Sequence, residues 1–272
     1  MKNTLILTLL LTLLLLPACT GQGHSGAGNQ ALDRSQLTVF GAASLTNAFT
    51  EIGKQFQEMH PGTSVTFNFA GSQQLAQQLN QGAQADIFAS ADGEQMQVAG
   101  QGGRVSPDAP QTFIKNELVV VYPVENPGDL HSLQGLARPG LKIVLAAGAV
   151  PAGRYALEFL DKASHDAVYG LNFKQEVLKN VASYEENVRA VLTKVVLGEA
   201  DAGIVYASDA FTASAGKIST LKIPPELNVE ANYPIAIIAD SAHPTLSGDF
   251  IDFVLSDAGQ QILANNGFIP IR

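Results

Sequence analysis

Residues 36–62, QLTVFGAASLTNAFTEIGKQFQEMHPG, set the architecture of this chain. From Gln36 to Gly41 apolar and polar side chains alternate, the period of a strand with one buried face. From Ser44 to Met59 the period lengthens, and Leu45, Ala48, Phe49, Ile52 and Phe56 fall on one helical stripe. His60-Pro61-Gly62 ends the helix, because proline cannot continue the hydrogen-bond ladder and glycine takes the turn.

The same order repeats toward the C-terminus. Val65 to Phe69 alternates as a strand, Ser72 to Leu79 as a helix, Ala85 to Ala89 as a third strand, and Asp92 caps another helix. Such β-α-β-α-β order implies a parallel sheet covered by helices on both faces. Leu118 to Tyr122 is a strongly apolar strand that leaves this first lobe. Beyond it come a strand at Leu141 to Ala146, a helix at Ala152 to Leu160, a longer helix at Glu185 to Leu197 and a strand at Ala202 to Val205. Tyr233 to Ile238 reads as a strand returning to the first lobe, and helices around Leu246 to Leu255 and Gly259 to Ala264 close on it. The expected class is α/β with two lobes, each a mainly parallel sheet flanked by helices. Residues 36–117 plus 237–272 form the first lobe and 118–236 the second. A chain that leaves and rejoins a lobe suits hinge closure around a ligand in the cleft.

Toward the N-terminus the sequence reads as an export leader over residues 1–18. Lys2 supplies the positive start, and Leu5 to Leu16 is an apolar run shorter than the roughly 20 residues a membrane span needs. Leu16-Pro17-Ala18-Cys19 resembles the bacterial lipoprotein cleavage box, which makes Cys19 the expected lipidation site. The alternative is an ordinary secretory signal with an incidental cysteine. Cys19 is the only cysteine, which excludes disulfides within the chain and thiolate metal sites. Residues 19–35 are rich in Gly, Ser, Gln and Asn and read as a flexible tether. The formal charge is −9, and loss of Lys2 with the leader takes it to −10. Nucleic acid wants basic clusters, so it is not an expected partner. An anion site in such a chain must work by local dipoles.

Catalytic patterns are missing. The five histidines, His24, His60, His131, His165 and His243, are scattered without ligand spacing and read as surface residues. There is no Gly-x-Ser-x-Gly elbow and no Gly-Lys-Ser/Thr phosphate loop. Asp86 and Asp92 read as strand-start and cap residues. No catalyst, cofactor or cation site is expected.

Three stretches instead put small groups where helices begin: Gly41-Ala42-Ala43-Ser44, Ala70-Gly71-Ser72 and Val150-Pro151-Ala152-Gly153. The first N–H groups of a helix lack intrahelical acceptors, and small residues let an anion approach them. Val188, shortly after Glu185-Glu186, could offer its N–H near another helix start, and Tyr206 ends an apolar strand. Ser44, Ser72, Ala152, Val188 and Tyr206 together offer about seven neutral donors to a tetrahedral dianion. Taken singly, the serines also read as plain N-caps and Tyr206 as a half-buried strand aromatic.

With these motifs the chain resembles the molybdate-binding proteins of ABC-type importers, of the type II periplasmic solute-binding fold. The resemblance runs from about Leu37 to the C-terminus. Its marks are Phe40 to Leu45, Ala70-Gly71-Ser72, Ala85 to Asp92, Val150 to Ala156, Asn187-Val188-Arg189 and Gly203 to Asp209. It implies that Ser44, Ser72, Ala152, Val188 and Tyr206 bind molybdate or tungstate, with molybdenum present only as the oxyanion. It also implies delivery to a membrane permease by a monomeric carrier in the periplasm or at the cell surface, anchored through Cys19. A longer stretch around Tyr169 to Val181 departs from the common bacterial form. Two other readings stay open: a carrier of sulfate or another small anion, and an exported enzyme on the same fold. Arg154 and Arg189 would serve a carboxylate ligand, but both read as solvated helix residues.

Overall fold

The computed structural model describes residues 35–213 and 216–271. The leader, Cys19 and the tether up to residue 34 lie outside the described residues, as does His24.

The first lobe opens with strand β1, Ser35–Ala42, so the last residue assigned to the tether already pairs in a sheet. A short 3₁₀ turn, Ala43–Leu45, leads into helix α1, Thr46–Met59. Leu45, Ala48, Phe49, Ile52 and Phe56 are all buried, with the rings of Phe49 and Phe56 packed on Phe250. Strand β2, Thr63–Ala70, helix α2, Ser72–Asn80, strand β3, Ile87–Ala89, and helix α3, Gly93–Gln101, follow. Strand β4, Gln111–Asn116, completes this run, and strand β5, Leu118–Pro123, crosses to the second lobe.

There the order is β6, Ile143–Ala146; α4, Pro151–Ser164; α5, Phe173–Lys179; and β7, Val181–Glu185. Next come α6, Val188–Val196; β8, Ala202–Tyr206; α7, Ala207–Thr212; and β9, Ile218–Lys222. The chain returns as β10, Ala231–Ile237, before α8, Pro244–Leu255, and α9, Asp257–Asn265.

The two sheets share one plan. Their strand orders are β2-β1-β3-β10-β4 and β7-β6-β8-β5-β9. In each, the strand arriving from the other lobe runs antiparallel to both of its neighbours. Both sheets are therefore mixed rather than mainly parallel, with two parallel and two antiparallel pairings each.

Two boundaries need correction. The return to the first lobe precedes Ala231 and does not lie at residue 237, because β10 pairs with β3 and β4 along its length. Glu185 ends a strand and does not open a helix: Val181–Glu185 pairs in parallel with β6, and α6 starts only after the Asn187 side chain accepts from the Ala190 N–H. The longer stretch around Tyr169 to Val181 holds α5 and the start of β7.

Candidate functional site

The cleft is lined by helix starts from both lobes. In the first, β1 feeds the 3₁₀ turn that holds buried Ser44, and Gly71 is the N-cap of α2, which begins at Ser72. In the second, α4 begins Pro151-Ala152 after an extended Val150, and α6 begins at Val188. Proline suits that first helical position because its missing N–H would be unpaired there anyway. Tyr206 ends β8. Ser44, Ser72, Ala152, Val188 and Tyr206 thus line one cavity of about 210 Å³ counted out to its mouth, together with Gly71, Ala91 and Asn187. No charged side chain among the described residues lines it. Helix N-termini bring partial positive charge and unpaired N–H groups to such a space.

Its hydroxyls are differently engaged. Ser72 Oγ accepts from the Ala91 N–H at 3.0 Å, and Ser44 Oγ lies 2.9 Å from the Tyr233 hydroxyl. The Tyr206 hydroxyl is buried and has no hydrogen-bond partner of good geometry among the described residues, although Tyr233 packs edge-on against its ring. Leaving such a group unpaired costs about 1–3 kcal/mol, which a ligand acceptor would recover. Burial raises its pKa well above the usual phenol value, so it stays a neutral O–H donor.

Side chains bridge the lobes around this cavity. Arg154 of α4 reaches Asp92 at 2.6 Å and Glu94 at 3.1 Å, both in the first lobe. Gln73 and Gln74 of α2 donate to the Glu186 carbonyl and carboxylate at 2.9 and 3.0 Å. Arg189 donates to Asn47 at 3.0 Å and pairs with fully buried Asp209 at 2.7 Å. The expectation that Arg154 and Arg189 are solvated is therefore wrong, because each has an acidic partner distant in sequence. Asp92 caps α3 through Gln95 as expected and also holds Arg154. Burial pushes the Asp209 carboxyl up to about 6 against the pull of Arg189. His243 is half-buried against Asp86 and not simply at the surface. Among the described residues no three His, Cys, Asp or Glu side chains gather as a metal site.

The family of bacterial extracellular solute-binding proteins matches residues 37–269. The chain belongs to this family. Its fold is that of a solute-binding protein. Relatives include the molybdate-binding protein ModA of Mycobacterium tuberculosis, 40% identical over 85% of this chain and 84% of its own length. ModA of Escherichia coli is 34% identical over 89% of this chain and 92% of its own. The periplasmic molybdate-binding protein of Azotobacter vinelandii superposes with a TM-score of 0.73 at 20% identity, covering 87% of this chain and all of that one, a likeness of fold.

Sequence reasoning missed Tyr233 and Asn116, the two buried side chains behind Ser44. Both sit in strands, and nothing in strand alternation marks a buried polar group. Asn187 enters the sequence reading only as a neighbour of Val188, though an Asn just before an apolar helical run is a cap signal.

Proposed function

We propose that the protein captures molybdate outside the cytoplasmic membrane, takes tungstate at the same site, and delivers the oxyanion to the membrane permease of an ABC importer. The observation that carries this reading is one small uncharged cavity ringed by donors. Ser44, Ser72 and Tyr206 supply hydroxyls, and Ala152 and Val188 supply N–H groups at helix starts. Hydrogen bonds to a charged ligand contribute about 1.5–3 kcal/mol each before ordering and desolvation. A net of about −8 to −12 kcal/mol, micromolar to nanomolar, follows. No lining carboxylate can accept a ligand proton, which favours fully ionised oxyanions over phosphate. The molybdate-binding relatives support molybdate over sulfate. The protein acts as a monomeric carrier without a cofactor, not as a catalyst, and Cys19 carries its lipid anchor.

Calorimetry on a Ser44→Ala, Tyr206→Phe double variant tests the site. Losing two hydrogen bonds to a dianion should weaken molybdate binding by about 100-fold or more. Wild-type affinity would remove both residues from the site. A thermal series with molybdate, tungstate, sulfate and phosphate tests the ion, because a ligand of the native state raises the midpoint. Sulfate raising it as far as molybdate would transfer the reading to a sulfate carrier. A Cys19→Ser chain should leave the membrane fraction.

A further inference from the structure

We infer that Arg154 is a positioning residue that cancels a charge beside the cavity without touching the oxyanion. When the lobes meet it covers the Asp92 carboxylate, so a doubly charged guest is held tightly only in the fully closed protein. The inference rests on the oxyanion reading of the cavity and adds how closure is tied to the charge of the guest.

Asp92 belongs to the first lobe and follows Ala91, which lines the cavity. Its side chain is 1% exposed. One carboxylate oxygen, Oδ1, accepts from the Gln95 N–H at 2.9 Å and caps α3. An anion suits that place, because a helix N-terminus favours negative charge. The other oxygen, Oδ2, accepts from Arg154 Nη2 at 2.6 Å. Left uncovered, this charge would stand one residue behind a wall that receives a dianion, and like charges in a poorly hydrated space repel. Burial first, and then neighbouring charges that include Asp92, raise the pKa of the Tyr206 hydroxyl, so the carboxylate is felt at the cavity wall.

Arg154 comes from the second lobe. It stands in the first turn of α4, two residues after Ala152, and its guanidinium lies over the Tyr155 ring at 4.5 Å. Such stacking holds the planar fork extended toward the first lobe. Because the two partners belong to different lobes, separation removes the cover and admits water to the carboxylate. A partly closed cleft would therefore hold a dianion beside a bare charge. The other arginine differs: Arg189 and Asp209 both belong to the second lobe, so their 2.7 Å pair does not wait for closure. Glu94, the second partner of Arg154 at 3.1 Å, is 56% exposed and screened by water, which makes it an internal control.

Calorimetry with molybdate tests this on Arg154→Met, alone and combined with either Asp92→Asn or Glu94→Gln. Methionine keeps the apolar stem and removes the cation, and asparagine keeps an oxygen for the Gln95 cap. Arg154→Met should weaken molybdate by about 10-fold, and an unmoved affinity overturns the inference. Adding Asp92→Asn should bring the affinity back to within about 3-fold of wild type, whereas adding Glu94→Gln should restore nothing. If the Arg154→Met, Asp92→Asn chain binds as weakly as Arg154→Met alone, the pair is a mechanical strap between the lobes and the inference is wrong. Equal rescue by Glu94→Gln would also overturn it, since a screened surface charge would then count as much as the buried one. Ligand-free melting of Arg154→Met should stay near wild type, because the open cleft hydrates Asp92. A melting loss that accounts for the whole loss of affinity would instead make the pair a structural one. A wild-type protein that takes up no molybdate defeats the oxyanion reading itself, an outcome distinct from a failed rescue.

Discussion

The first lobe presents serine hydroxyls to the cleft, whereas the second presents chiefly main chain. In the proposed site Ser44 and Ser72 would act through side chains that a reader of the sequence can see. Ala152 and Val188 stand at helix starts and need only be small enough, or turned away enough, to leave an N–H exposed. The difference separates two kinds of vulnerability. Side-chain donors are lost by deleting an oxygen, while main-chain donors are lost only by moving a helix.

The strongest way to break the second lobe is therefore to displace α4. A Cβ on Gly153 would lie 2.1 Å from the Ala147 carbonyl oxygen and 2.3 Å from that of Ala146, both main chain. Gly153→Ala should cost about 1–3 kcal/mol of stability, read by denaturant melts, and weaken ligand by more than any single serine deletion. Gly71→Ala probes the approach of the lobes. Its new methyl would meet the Glu186 carbonyl oxygen across the cleft at 2.6 Å. Affinity should fall about 10-fold, chiefly through faster release in stopped-flow traces, with ligand-free melting nearly unchanged. A melting point that falls as far as in Gly153→Ala would contradict this division.

Arg154→Gln sharpens the comparison at the cleft rim. Its guanidinium is about one-third exposed, so screening limits the pair with Asp92 and Glu94. A few-fold loss of affinity that fades at high salt is expected, and a salt-independent loss would assign Arg154 a role inside the cavity. The smallest signal is a pH dependence. Asp209 holds its proton more tightly when folded (about 6) than at its ordinary value of 3.8. Its contribution to stability is present below 3.8 and declines as pH rises through about 6. Asp86 and Glu185, both held below their ordinary values, contribute the opposite slope at lower pH. Asp209→Asn should remove the decline, and an identical stability–pH curve would falsify the assignment.

Much of this fold was legible because hydrophobic period and helix stops carry it. The stripe of α1 and the caps at Asp92 and His60-Pro61-Gly62 needed no tertiary knowledge. Strands β4 and β9 were not, because Gln111–Asn116 and Ile218–Lys222 are short sheet-edge strands with several polar or exposed residues. The serines could be read as helix-start hydroxyls, but Ala152 and Val188 carry no chemistry in their side chains and were legible only as main-chain positions at helix starts, which the family resemblance then supported. The pairing of Arg154 with Asp92 spans 62 residues. No local pattern predicts a partner so far along the chain.

One feature of the crossing joins grip to motion. A single residue, Glu117, separates the end of β4 from the start of β5, and Asn228 from the other crossing clasps Leu118 at both its N–H and its carbonyl. Asn116 is the residue immediately before that pivot, and its amide also reaches Ser208 on α7. The Asn116 amide is thereby tied to both lobes at the crossing, so any rotation of one lobe against the other about Glu117 would have to turn that amide as well.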